Sequence, residues 1–111
     1  MVMMDDRQFR TAATEALLNL QRALERASED HDFDVDSKEG ALAIEFEEPP
    51  AKFVISPNAP VRQIWVSARV KSFKLDWDEA RGAFVLPADQ RDLKQLMAGV
   101  IGEQLGEDVT L

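Results

Sequence analysis

Residues 62–77 read RQIWVSARVKSFKLDW, and their pattern is the clearest indication of a β-sheet in the chain. Apolar and polar side chains alternate over residues 62–69 and again over residues 72–77, and only two residues separate the segments. A period of two is typical of a β-strand that buries one face. Because so short a connection joins neighbouring antiparallel strands, the stretch predicts a β-hairpin.

The same alternation extends in both directions along the chain. Turn-forming glycine and proline residues separate the alternating segments, and residues 57–60 are predicted to form a loop. Consecutive strands with short connections predict an antiparallel meander of five to six strands. The further predicted strands are residues 32–36, 41–47, 52–56 and 83–86.

Helical periodicity flanks the strands on both sides. Apolar residues at three- and four-residue spacing predict a long amphipathic helix over residues 5–28. The spacing returns over residues 93–105, where Asp89 is predicted to cap a second helix, and residues 106–111 are predicted to be a loose tail. Each helix has one apolar stripe, and the sheet has one apolar face. The predicted fold class is therefore α+β, a two-layer sandwich with both helices on one face of the antiparallel sheet.

Composition limits the chemistry of the protein. Its 111 residues suit a single domain, predicted to span residues 1–111. The absence of cysteine excludes disulfides, thiolate metal sites and cysteine nucleophiles. The one histidine, His31, is either a solvated loop residue or an auxiliary metal ligand. The sequence has no glycine-rich phosphate loop, so we do not expect a classical enzyme. It shows no bilayer-spanning apolar run and no signal peptide, so we expect a cytoplasmic protein rather than a membrane protein.

Charge is distributed unevenly along the chain, whose formal net charge is −8. Residues 1–48 carry 13 Asp and Glu against five Lys and Arg, whereas residues 49–77 carry one against five. An acidic surface disfavours nucleic acid, because phosphate binding needs positive charge. It favours cations and basic protein surfaces.

A row of carboxylates begins the predicted sheet. Asp32, Asp34 and Asp36 alternate with Phe33 and Val35. Along a strand such carboxylates share one face about 6.6 Å apart, too far for the three to enclose one ion. An open row of hard oxygen ligands would bind hard cations weakly and exchangeably. Alternatively, the acids protect an edge strand from pairing with other chains. Carboxylates close to this row in sequence are Glu25, Glu29 and Asp30.

The hairpin is predicted to present a tryptophan on its outward face. If Ile64 and Val66 face the helices, alternation turns Trp65 away from them. An outward tryptophan among polar and basic side chains is typical of a protein-binding hot spot, although the indole could instead lie flat over its own strand neighbours. Trp77 is predicted to lie in the core. The residues predicted to share the outward face with Trp65 are Gln63, Ser67, Arg69, Ser72, Lys74 and Asp76.

Four segments together resemble the frataxin family, and its bacterial members most closely. They read DFDV at residues 32–35, GAL at 40–42, FVISPNAPVRQIWVS at 53–67 and FKLDW at 73–77. The portion PVRQIWVS is the most specific of them. The resemblance covers essentially the whole chain and implies the same two-layer fold.

The resemblance implies an iron-binding protein of iron–sulfur cluster assembly. Ferrous or ferric iron would bind weakly along a ridge formed by the first helix and first strand. The sequence departs from the family at Gln21, Arg22, Arg26 and Ser28, where bacterial frataxins typically carry carboxylates, and the two arginines weaken cation binding. The residues that carry over as iron ligands are Asp6, Glu25, Asp30, Asp32, Asp34 and Asp36, and Glu29 lies beside them in sequence.

Frataxins also dock on the cysteine desulfurase and its scaffold protein through the sheet face. This contact carries over to Gln63, Trp65 and Ser67, with Lys74 where eukaryotic members have an arginine, and with Asn58 in place of a glutamine.

We therefore predict an acidic adaptor that binds iron and modulates the desulfurase–scaffold complex without covalent catalysis. Weak iron oxidation is described for some family members. We expect a monomer, which iron could assemble into oligomers. The alternative is a metal-independent acidic interaction module, such as a chaperone or a nucleic-acid mimic. A chaperone would need a broad apolar surface, whereas the predicted outward positions are mostly polar apart from Trp65.

Overall fold

Two helices enclose six consecutive strands along the chain. The structure is a computed structural model that describes residues 4–111. A single turn of 3-10 helix, Ala59–Val61, separates the third and fourth strands. The bounds are α1 Asp6–Ala27, β1 Asp34–Lys38, β2 Ala41–Glu47, β3 Pro50–Asn58, β4 Gln63–Ala68, β5 Lys71–Asp78, β6 Ala83–Val85 and α2 Leu93–Leu105.

The strands form a single antiparallel sheet in the order β1-β2-β3-β4-β5-β6. Within the β4–β5 hairpin, Ile64 lies opposite Leu75 and Val66 opposite Phe73. The predicted meander and hairpin are confirmed, and β1 forms one edge of the sheet.

Both helices cover the same face of the sheet, and the core lies between the two layers. The Phe9 ring of α1 meets Phe84 of β6 edge-on, with ring centroids 5.9 Å apart. Each fully buried large apolar side chain contributes about 1.5–3 kcal/mol. The predicted two-layer α+β sandwich is confirmed. The largest fully buried side chains are Phe9, Leu20, Leu24, Ile44, Phe53, Ile55, Ile64, Leu75, Phe84, Leu96, Met97 and Ile101.

A capping box begins each helix. The Asp5 carboxylate accepts a hydrogen bond from the backbone N–H of Gln8 at 2.8 Å. The Asp92 carboxylate accepts one from the backbone N–H of Gln95 at the same distance. These bonds satisfy backbone donors that the first turn leaves free. The predicted N-cap Asp89 is therefore wrong, because its carboxylate instead accepts from Arg91 Nε at 2.7 Å.

Several strand boundaries differ from the predicted ones, including the start of β1 and both ends of β3. β1 begins at Asp34 rather than at residue 32, because Phe33 is inserted into the core before the ladder starts. The predicted loop at residues 57–60 is also wrong in part. Pro57 and Asn58 continue β3 and pair with Ile64 and Gln63 of β4.

Three further predictions need correction. Arg69 does not share the outward face with Trp65, because it lies in the β4–β5 turn at φ +58° and donates to Gln104 of α2 at 3.2 Å. Trp77 points inward as predicted but is only half-buried. The tail after α2 has no regular structure, yet Val109 and Leu111 pack half-buried against the core.

The predicted domain begins at residue 1, and residues 1–3 lie outside the described part. Between residues 4 and 111, no helix combines the length and apolar character needed to cross a membrane.

Candidate functional site

The turn after α1 gathers acidic side chains at one end of the molecule. The Ser28 hydroxyl donates to the carbonyl of Glu25 at 2.7 Å. The amides of Asp30 and His31 both donate to the carbonyl of Ala27 at 3.0 Å. These bonds close the helix end tightly and leave the acidic side chains of the turn in solvent.

Phe33 anchors the chain between this turn and β1. Its ring is buried and lies 6.0 Å from that of Phe46. Val35 then packs half-buried on the core, so alternation turns Asp34 and Asp36 to the opposite face of β1, where both are exposed. The structure thus confirms that these two aspartates share a face, whereas Asp32 precedes the strand.

We define the acidic edge as the carboxylates of α1, the turn and β1 that lie at this end. All of them are exposed, and within residues 4–111 none lies at ion-pairing distance from a lysine or arginine. The acidic edge therefore carries negative charge that no direct partner neutralises. Its members are Glu25, Glu29, Asp30, Asp32, Asp34 and Asp36.

The acidic edge is not a closed chelate. Across the described part of the chain, no three histidine or carboxylate side chains cluster closely enough to hold a metal ion. Exposed carboxylates supply hard oxygen ligands that suit hard cations retaining most of their water. The donor set suits weak, exchangeable association of hydrated hard cations and does not form a tight structural site.

Two residues change the predicted ligand set. Asp6 lies at the start of α1, about 30 Å along the helix from Ala27, and pairs with Arg62 Nη2 at 3.4 Å. The structure does not bring it to the acidic edge. Glu45 was missed by the sequence analysis, yet it lies directly opposite Asp34 on the neighbouring strand, where its Oε1 also lies 3.9 Å from Lys52 Nζ in an exposed ion pair. Only knowledge of the pairing register of β1 and β2 could have identified Glu45 as a neighbour of Asp34.

His31 is oriented towards the tail after α2. Its Nδ1 lies 3.3 Å from Oε1 of Glu107, and its side chain is only 17% exposed. The prediction of a solvated loop histidine is therefore wrong.

The second predicted site lies on the sheet face opposite the helices. Trp65 points outward as predicted and is 37% exposed. Its indole Nε1 donates to Gln63 Oε1 at 2.9 Å, and Lys74 Nζ lies 4.9 Å from the centre of its ring. The indole therefore contacts its own strand neighbours and also remains available to a partner.

We define the docking face as Asn58, Gln63, Trp65, Ser67 and Lys74. The register brings them together, because Gln63 pairs with Asn58, and Trp65 with Lys74. Beside Trp65 lies a cavity of about 190 Å³, whose lining includes the small side chains of Ser56, Ser67 and Ser72. The face thus combines one large aromatic side chain with a recess that a partner side chain could enter.

Comparison with known proteins identifies the family. The family model described as "Frataxin-like domain" matches residues 2–107. The chain is 37% identical over 97 residues to the iron-sulfur cluster assembly protein CyaY of Azotobacter vinelandii, covering 86% of this chain and 87% of the relative. It is 32% identical over 108 residues to the CyaY protein of Dechloromonas aromatica, covering 97% and 99% of the two chains.

Solved structures show the same fold. Frataxin from Psychromonas ingrahamii superposes with a TM-score of 0.74 at 22% identity, covering 96% of this chain and 97% of that one. Trimeric frataxin from the yeast Saccharomyces cerevisiae, described as complexed with ferrous iron, superposes with a TM-score of 0.72 at 22% identity, covering 86% and 87%. With the family model matching nearly its full length, this chain belongs to the frataxin family.

Proposed function

We propose that this protein acts in iron–sulfur cluster assembly, the role that the names of its CyaY relatives state for them. It binds iron weakly at the acidic edge, as cargo, and docks through the docking face on the cysteine desulfurase and scaffold protein. The two surfaces differ in chemistry, because one is a set of carboxylates and the other centres on an indole.

The observation that carries the proposal is the unpaired charge of the acidic edge. Six exposed carboxylates stand at one end of the protein, and none of them pairs with a basic side chain among the described residues. Crowded carboxylates repel one another and so cost stability, a cost that cation binding or protection of the edge strand β1 would offset. Arg22 and Arg26 are exposed on the same helix and reduce the attraction for cations, which favours weak binding.

The proposed mechanism is association, and we assign no catalytic residue. Iron oxidation at the acidic edge is an activity that this open site would perform weakly at most. The protein works in the cytoplasm as a monomer, and iron that bridges two acidic edges would drive oligomer formation.

The test is reconstituted cluster assembly with purified bacterial cysteine desulfurase, scaffold protein, cysteine and ferrous iron. Adding this protein should change the rate of cluster formation. Trp65→Ala should abolish the change, whereas Leu18→Ala, which alters an exposed apolar residue on α1, should not. An unchanged rate of cluster formation at saturating protein would overturn the proposal. It would favour the alternative function, a metal-independent acidic interaction module.

A further inference from the structure

Two hydrogen bonds in series connect Trp65 to Asp76, a residue outside the docking face. Trp65 Nε1 donates to Gln63 Oε1, and Gln63 Nε2 donates to Asp76 Oδ1, each at 2.9 Å. Asp76 lies directly opposite Gln63 on the neighbouring strand, and its side chain is exposed. The series therefore links β5 to the indole on β4.

The chemistry of the two ends fixes the orientation of the amide between them. An indole N–H can only donate, and an ionised carboxylate can only accept. The Gln63 amide has both a donor and an acceptor, so it satisfies both ends only with Nε2 towards Asp76 and Oε1 towards Trp65. The bond to Asp76 thereby holds the Gln63 amide in the orientation that presents Oε1 to the indole N–H.

We propose that Asp76 is a positioning residue for Trp65, acting through Gln63. It holds the indole in its binding orientation before a partner arrives, and Lys74 restrains the ring face at 4.9 Å. An anchor that is already ordered loses less side-chain entropy on association. This inference rests on the proposed function, because it concerns the docking face.

The test compares Asp76→Ala with Asp76→Asn. Asparagine keeps a side-chain oxygen that can accept from Gln63 Nε2, whereas alanine keeps none. In the NMR spectrum of the isolated protein, Asp76→Ala should shift the Trp65 indole N–H signal and accelerate its hydrogen exchange, and Asp76→Asn should do neither. Binding to the desulfurase–scaffold complex should weaken about two- to tenfold in the alanine variant alone, the range expected when one side chain must be ordered on binding. Melting temperatures should match the parent.

The other tryptophan supplies a matched control. Trp77 Nε1 donates to Glu79 Oε2, again two residues away on the chain. Glu79→Ala should therefore shift the Trp77 indole signal and leave both the Trp65 signal and docking unchanged.

The outcomes separate the two proposals. If Asp76→Ala leaves the Trp65 signal or docking unchanged while Trp65→Ala weakens docking, the positioning role is wrong. If Asp76→Asn behaves like Asp76→Ala, the role is wrong as well. If even Trp65→Ala docks normally, the docking face itself is overturned, and with it the value of positioning the indole.

Discussion

Trp65 and Trp77 lie on adjacent strands and face opposite sides of the same hairpin. Their directions could be predicted from the period of two, which fixes the face of each side chain. The extent of burial could not be predicted. Trp77 packs on Phe84 with ring centroids 5.1 Å apart, but β6, the strand beside it, has only three residues and leaves it half-covered.

Trp65→Ala should weaken docking on the desulfurase–scaffold complex while folding changes little. Truncating such an aromatic anchor to alanine commonly costs about 2 kcal/mol or more of binding free energy. Calorimetric titration against the complex measures the loss, and a melting curve reports on the fold.

Trp77→Ala is the control for this substitution. Its ring packs on the core, so its removal should lower the free energy of unfolding. Because the ring is only half-buried, we expect a loss of at most about 3 kcal/mol. If Trp65→Ala lowers the melting temperature as much as Trp77→Ala does, the indole of Trp65 is structural and the partner surface must lie elsewhere.

Gln104 is the one buried polar side chain among the described residues, and we expect it to be structural. Its Nε2 donates to the carbonyl of Pro49 at 2.8 Å and its Oε1 accepts from Arg69, so it joins α2 to two turns of the sheet. Gln104→Ala should lower the free energy of unfolding by about 1–3 kcal/mol, because it leaves a part-buried carbonyl without its donor. Urea unfolding measures this, with the exposed Asn19→Ala as control. Equal stability of the two variants would show that the linkage contributes nothing.

At the scale of the elements, periodicity predicted each helix and strand, whereas boundaries depended on single contacts. β1 was predicted two residues early because Phe33 fits the alternation, yet the core holds it before pairing begins. The α2 N-cap was misplaced although a signal existed. Gln95 follows Asp92 by three residues, the spacing of a capping box, and no such residue follows Asp89. The position of Glu45 opposite Asp34 could not be predicted, because it depends on the pairing register of β1 and β2, which no local sequence pattern specifies.

Asp92→Ala should therefore destabilise the protein by about 1 kcal/mol, the usual loss for an N-cap. Asp89→Ala should have a much smaller effect, since its ion pair with Arg91 is exposed and such pairs contribute little. Thermal unfolding of both variants measures the difference. Greater destabilisation by Asp89→Ala would contradict this assignment and indicate Asp89 as the N-cap of α2.

At the level of the whole molecule, whose formal net charge is −8, acidic side chains are densest where α1 meets β1, because residues 25–36 carry six Asp and Glu against one arginine. Asp34 faces Glu45 across the strand pair, and like charges in that position are unfavourable. Replacing Asp32, Asp34 and Asp36 together by lysine should raise thermal stability, or leave it unchanged, at low salt. Salt should stabilise the parent more than the variant, because ions screen the repulsion. A large loss of stability would instead mean that these acids are structural.

Anaerobic titration of isotope-labelled protein with ferrous iron, followed by NMR, detects iron binding at the acidic edge residue by residue. The amides of residues 25–36 and of Glu45 should be perturbed, and α2 should remain unaffected. Replacing Asp32, Asp34 and Asp36 by lysine should abolish the effect. The same charge change at the exposed residues Glu79, Glu103 and Asp108 should preserve it. Perturbations centred on residues 89–103, or an unchanged response in the variant lacking the three aspartates, would contradict iron binding at the acidic edge.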